Sequence, residues 1–191
     1  MYTGIIEVTG TVRNTERDSD GLRLVVDAPF ERTLGDSLAV DGVCLTVADR
    51  ENGHLLADCS AETRRRTTLG RRRAGDPVNL ERPLAADGRF DGHVVKGTVD
   101  TTTTLRAVRE DGATHEYVFE RPPTPYVVEK GAVALDGASL TIADVGPETF
   151  TVATVPTTRR ETTLSALAPG EAVNVEYDIL AKYARADPAE A

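Results

Sequence analysis

Two pairs of small polar side chains stand where chemistry could be done. Cys44 and Thr46 alternate with apolar residues in Asp41-Gly42-Val43-Cys44-Leu45-Thr46-Val47, and Ser139 and Thr141 do so in Asp136-Gly137-Ala138-Ser139-Leu140-Thr141-Ile142. A strand sends successive side chains to opposite faces, so each pair shares a face that Leu45 or Leu140 does not. A solvated strand face accounts for such a pair. So does a flat heterocyclic ligand, which needs a few hydrogen-bonding groups at a barrel mouth. Glu62-Thr63 and Thr157-Thr158 follow apolar runs at equivalent places. A strand end leaves backbone N–H and C=O groups for a ligand's amide-like edge, although plain loop capping by threonine explains the same residues. Of the three histidines, His54 and His115 lie in polar strand contexts, and His93 lies at a junction, in Gly92-His93-Val94-Val95-Lys96-Gly97. No Cys/His spacing suits zinc. There is no glycine-rich phosphate loop or dinucleotide fingerprint, and no Gly-x-Ser-x-Gly elbow. An enzyme built on this chain takes its chemistry from the substrate and from ordinary side chains, with no metal.

The elements that must position these residues come in two copies. The Asp-Gly blocks, Thr63-Arg64-Arg65-Arg66-Thr67-Thr68-Leu69 with Thr158-Arg159-Arg160-Glu161-Thr162-Thr163-Leu164, and Val78-Asn79-Leu80-Glu81 with Val173-Asn174-Val175-Glu176 all repeat at an offset of 95 residues. A period this long is a domain duplication, since solenoid repeats run at roughly 20–50 residues. Short β-branched runs between Gly and Pro read as all-β. In the first unit strands are expected over 5–12, 22–27, 38–40, 43–47, 54–57 and 77–81, with a turn or short helix at Thr67-Thr68-Leu69-Gly70. In the second they are expected over 94–99, 104–108, 116–119, 132–135, 140–143, 150–155 and 172–176. About six short antiparallel strands per unit suit a small closed barrel, which removes exposed edges; a sandwich is the alternative. The domains are placed at 1–86, 92–177 and a tail at 178–191. Within that tail, Ile179, Leu180 and Tyr183 suggest a short amphipathic helix that needs a packing partner, such as a neighbouring subunit. The last six residues are expected to fray.

Composition narrows the class. A net charge of −9 repels phosphates, so nucleic acid and anionic membrane are excluded as partners. Three lysines (Lys96, Lys130, Lys182) against 19 arginines point either to a salt-adapted host or to a GC-rich genome. Two cysteines, Cys44 and Cys59, build no disulfide framework. The first ten residues lack the features of a signal peptide, and no apolar run reaches the roughly 20 residues that span a bilayer. A cytoplasmic location is expected.

The order of these blocks carries a resemblance. Met1-Tyr2-Thr3-Gly4-Ile5-Ile6-Glu7, the Asp41–Val47 block, Glu62-Thr63 leading into Thr67-Thr68-Leu69-Gly70, and Val78-Asn79-Leu80-Glu81-Arg82 resemble the riboflavin synthase alpha-chain family. So do Gly92-His93-Val94-Val95, Tyr126-Val127-Val128-Glu129-Lys130-Gly131, Asp136-Gly137-Ala138-Ser139-Leu140-Thr141, Val155-Pro156-Thr157-Thr158 and Ala181-Lys182-Tyr183. The resemblance runs along nearly the whole chain.

It implies two tandem six-stranded antiparallel β-barrels with a short C-terminal helix, assembled as a homotrimer. It implies a cofactor-free dismutation of two molecules of 6,7-dimethyl-8-ribityllumazine, one giving the other a four-carbon unit to yield riboflavin and 5-amino-6-(ribitylamino)uracil. Each barrel would hold one lumazine, and the active site would form between barrels of different subunits. Carried over by position, the first barrel's ligand shell would be Gly4, Ile5, Ile6, Cys44, Leu45, Thr46, Asp58, Cys59, Ser60, Ala61, Glu62 and Thr63. The second barrel's would be Gly97, Thr98, Val99, Lys130, Ser139, Leu140, Thr141, Val155, Pro156, Thr157, Thr158, Arg159 and Arg160. Cys44, Ser139, His93 and Asp178 are the family-matched residues for assisting proton removal from the 7-methyl group or addition at a ring carbon. Thr98 stands where the family usually has a second histidine, Tyr2 where it usually has Phe, and Thr157 where His is common. Related lumazine-binding proteins keep the fold without catalysis, so a lumazine or flavin carrier is the alternative function.

Overall fold

The structure is a computed structural model and describes residues 1–17, 21–112 and 114–185. Twelve strands form two closed antiparallel barrels. The first joins β1 (Val8–Arg17), β2 (Gly21–Asp27), β3 (Ser37–Val40), β4 (Val43–Glu51), β5 (His54–Ser60) and β6 (Pro77–Glu81) in the order β1-β2-β5-β4-β3-β6. The second joins β7 (Thr101–Asp111), β8 (Thr114–Glu120), β9 (Ala132–Leu135), β10 (Ala138–Val145), β11 (Thr149–Thr154) and β12 (Ala172–Tyr177) in the order β10-β11-β8-β7-β12-β9. Alternation sets each strand's facing. On β4, Val43, Leu45 and Val47 are buried while Cys44 and Thr46 point outward. The first core is mainly aliphatic, around Leu24, Leu69 and Leu80. The second is built on Tyr117, Phe119 and Phe150, with the two Phe rings stacked at 5.7 Å.

The two barrels meet at their repeated hairpin turns. Asp41-Gly42 and Asp136-Gly137 both take positive φ at both positions (47° and 75°; 42° and 82°), as a type I′ turn requires. The turns touch back to back, and a Cβ on Gly42 would lie 2.6 Å from the Gly137 nitrogen. Around them runs a buried network with the same pseudo-twofold. The Asn79 side-chain amide donates to the Asp136 carbonyl and that of Asn174 to the Asp41 carbonyl, each at 2.9 Å. Thr68 N–H donates to Asn174 Oδ1 and Thr163 N–H to Asn79 Oδ1, each at 2.8 Å. Arg72 breaks the symmetry. Its guanidinium lies 2.6 Å from Asp41 and 3.6 Å from Asp136, while the equivalent position in the second copy is Leu167.

Among the described residues the three α-helices are short: α1 (Ala61–Arg66), α2 (Pro156–Glu161) and α3 (Ile179–Ala184). Ser60 caps α1 by accepting from Thr63 N–H, and Pro156 starts α2 at a position whose N–H has no helical partner anyway. Asp178 caps α3 through Leu180 N–H at 3.0 Å, leaving Leu180 and Tyr183 exposed. Residues 186–191, expected to fray, lie outside the described residues. No helix among the described residues is long and apolar enough to cross a membrane.

Two expectations fail locally. Residues 94–99 form no strand, because their backbone groups bond elsewhere: only an isolated bridge joins Val95 to Tyr2. The first strand begins at Val8 rather than at residue 5, because residues 1–6 leave the first barrel.

Candidate active site

Two extended segments cross between the barrels. The N-terminal segment lies on the second barrel, where Ser139 N–H donates to the Gly4 carbonyl at 2.8 Å. The segment around Gly97 lies on the first, where Cys44 N–H donates to the Gly97 carbonyl at 2.9 Å. Each is held by the glutamate that ends a repeated Val-Asn-x-Glu block. Glu81 accepts from Thr3 N–H (2.7 Å) and Gly4 N–H (3.1 Å), and Glu176 from Lys96 N–H (2.6 Å) and Thr98 N–H (2.8 Å). Burial pushes both carboxyls upward, and these backbone donors oppose it. Gly4 and Gly97 sit at φ +76° and +79°, and a Cβ on either would lie 2.6 Å from the Cβ of Ser139 or Cys44. Only glycine lets the segments approach this closely.

The exchange brings the expected residues together in a different grouping. Gly97, Thr98 and Val99 line a cavity of about 330 Å³ with Cys44, Glu62 and Thr63 of the first barrel. Gly4, Ile5 and Ile6 line one of about 150 Å³ with Ser139, Thr157 and Thr158 of the second. The cause is the crossover, which assigns each segment to the barrel opposite the one it precedes in sequence. Arg66 in the first cavity is replaced by Glu161 in the second, a feature the repeat alignment already contained.

Other expected residues lie outside both cavities. Leu45 and Leu140 point into the cores, with 5% and 6% exposure. Thr46 and Thr141 lie outward but beyond the cavities. Asp58, Cys59 and Ser60 border a separate groove of about 570 Å³. There Asp58 pairs with Arg23 at 2.7 Å, and burial pushes the Cys59 thiol up to about 11, leaving it inert. Ala61 opens α1. Lys130 is exposed at φ 61° in the β8–β9 connection. Val155 and Pro156 begin α2, and Arg160 pairs with Glu161 at 2.9 Å; Arg159 is half-buried in that helix.

The reactive groups form two unlike pairs. At the second site, His93 Nδ1 lies 2.7 Å from Ser139 Oγ. Burial lowers the His93 pKa, and the charge of Asp178 works against that shift, so the ring is neutral near neutral pH. At the first site, Tyr2 Oη donates to Cys44 Sγ at 3.0 Å. Tyr2, Glu81 and Glu176 were not singled out from the sequence. The glutamates had a signal, since both close a repeated block; Tyr2 had only its difference from Phe.

Paired barrels with equivalent cavities, each completed by an exchanged segment, have the architecture of a duplicated ligand-binding protein. The Lumazine binding domain family model matches residues 3–83 and 96–178. The riboflavin synthase of Mycobacterium tuberculosis (strain ATCC 25618 / H37Rv) is 43% identical, with 96% of each chain covered. That of Schizosaccharomyces pombe is 39% identical, over 96% of this chain and 91% of the relative. A crystal structure of LumP complexed with riboflavin shares the fold at a TM-score of 0.85 and 21% identity, covering 93% of this chain and 99% of that one. The chain belongs to the riboflavin synthase family of lumazine-binding tandem domains.

Proposed function

We propose that the protein catalyses the riboflavin synthase reaction, in which two molecules of 6,7-dimethyl-8-ribityllumazine become riboflavin and 5-amino-6-(ribitylamino)uracil. The two substrates supply every atom of the two products, so the transfer calls for no oxidant and no added group. The observation that carries this reading is the pair of equivalent cavities with unequal reactive side chains, Cys44 in one and Ser139 in the other. Two copies of one substrate with different roles need two similar, unequal sites. Bringing them face to face replaces a bimolecular encounter with an oriented one, worth several kcal/mol of barrier, on the order of 7–11 kcal/mol at best.

The residues divide the work as follows. With His93 Nδ1 accepting from the Ser139 hydroxyl, that hydroxyl, which lines the second cavity, takes a proton from the acidic 7-methyl group as it passes its own to the imidazole. Asp178 then stabilises the imidazolium through its charge. Cys44 faces the first lumazine as a nucleophile for a ring carbon, while backbone groups of the crossing segments and of Thr63 and Thr158 hold the ring edges. Thr98 lies in the first cavity and supplies a hydroxyl but no base. In a homotrimer, the exposed Leu180 and Tyr183 of α3 would pack on a neighbour and the two cavities would face one another across subunits.

Incubation with 6,7-dimethyl-8-ribityllumazine alone tests the activity, and growth of riboflavin absorbance is the expected result. Binding without product instead supports the carrier reading. Light scattering that gives a monomer mass would sink the trimer.

A further inference from the structure

We propose that Tyr2 is a positioning residue for Cys44, its phenol holding the sulfur in place at the first cavity. This rests on the proposed reading that Cys44 faces substrate. Tyr2 is fully buried between the barrels and its backbone is pinned on both sides. Its N–H donates to the Val95 carbonyl at 2.7 Å, and Val95 N–H donates back at 3.1 Å. The ring therefore has one place to lie, and its hydroxyl meets Cys44 Sγ at 3.0 Å. Gly97 makes the meeting possible, because a Cβ there would lie 3.0 Å from the Tyr2 ring and 2.6 Å from Cys44 Cβ.

A hydrogen bond to an ionised acceptor is roughly twice as strong as one to a neutral group. A fixed phenol donor thus sets the direction in which the sulfur presents its lone pairs to the cavity, and it grips the sulfur harder the more negative charge that atom carries. Burial pushes the Tyr2 phenol itself upward, so it remains a donor. The charged groups around the pair are Glu62 and Arg66 from α1, Asp100 from the second crossing segment, and Glu81 and Arg32 beside the Tyr2 ring. All of them remain when only the hydroxyl is removed. The N-terminal segment consequently serves both sites, with the Gly4 backbone at the second and the Tyr2 side chain at the first.

Tyr2→Phe keeps the ring and deletes the donor. The rate of Cys44 alkylation by iodoacetamide at neutral pH is followed by peptide mass, with the buried Cys59 as unreactive control. In the variant that rate should fall roughly tenfold. Turnover should fall with KM unchanged, and adding Tyr2→Phe to Cys44→Ser should cost nothing further. An unchanged alkylation rate overturns the proposal, and so does a slowed rate with native turnover. If the native protein makes no riboflavin, the proposed activity fails and the catalytic role fails with it. The alkylation rate still decides separately whether Tyr2 holds the sulfur.

Discussion

Replacing Arg72 with Met removes a charge that two buried carboxylates share. Asp41 accepts from Arg72 Nε at 3.0 Å and Nη2 at 2.6 Å, with Asp136 3.6 Å away. Asp41 is fully buried and the guanidinium is 19% exposed, so solvent screens the contact little. Removing one partner of a buried ion pair costs about 3–5 kcal/mol. For a chain of this size that lowers Tm by on the order of 10 °C. The deficit should also depend on pH. Burial already pushes both carboxyls up, Asp136 well above the usual range and further so because of Asp41, and Arg72 opposes the rise. Without Arg72 both rise further. An acid whose folded pKa exceeds its unfolded value keeps a proton in the native state that the unfolded chain has lost. Stability therefore falls as pH climbs from about 3.9, the unfolded value, through the raised one. The variant's deficit should be largest near about pH 8 and shrink toward about pH 5. Urea or thermal unfolding of both proteins at the two pH values measures it. A deficit equal at both, or below about 1 kcal/mol, refutes the idea that Arg72 offsets a buried double negative charge.

Gly42→Ala should lose at least about 1–3 kcal/mol, since it meets the Gly137 backbone at φ +75°. Gly35→Ala, at φ +88° with open space around it, should lose less, and equal melting temperatures would refute the turn-on-turn contact. Cys44→Ala and Cys44→Ser should both lower turnover. Only the alanine should also cost stability, about 1–3 kcal/mol, because it strips the Tyr2 hydroxyl of its acceptor; two variants of equal stability would contradict this. Because burial depresses the His93 pKa, the acid limb of turnover should lie below about 6.5. Any stability from keeping this ring neutral is present above that value and lost as pH falls through the depressed one. A His93→Gln protein with residual turnover and the same acid limb would rule His93 out as its source.

The barrels were legible because their strands obey simple rules. Period-two alternation put Leu45 and Val47 on the face opposite Cys44 and Thr46, and the Asp-Gly pairs marked both hairpins. The strand over 132–135 was expected with its observed bounds. The crossing segments were not legible. Residues 94–99 carry strand-like side chains, but the N–H groups of Lys96 and Thr98 bond a carboxylate, Glu176, from far along the chain. Alternation tells which face a residue takes and says nothing about which barrel owns that face, so it did not show that Gly4 lies on the second barrel and Gly97 on the first. The short helix α1 was missed because Glu62-Thr63 reads equally well as a strand end, although Ser60 followed by helix formers was a usable cap signal.

The exchange of segments also bears on how such a chain can change over generations. A substitution in the first six residues is inherited with the first half of the gene but felt mainly at the second cavity, and one near Gly97 the reverse. Neither half can be cut away with a finished site of its own. A pair of identical ancestral halves trading edges would have had two identical cavities. Fusion into one reading frame freed those cavities to drift apart, to Cys44 with Thr98 on one side and Ser139 with Ile5 on the other. The duplication thus does more than double a barrel. It lets a symmetric object acquire a left and a right hand.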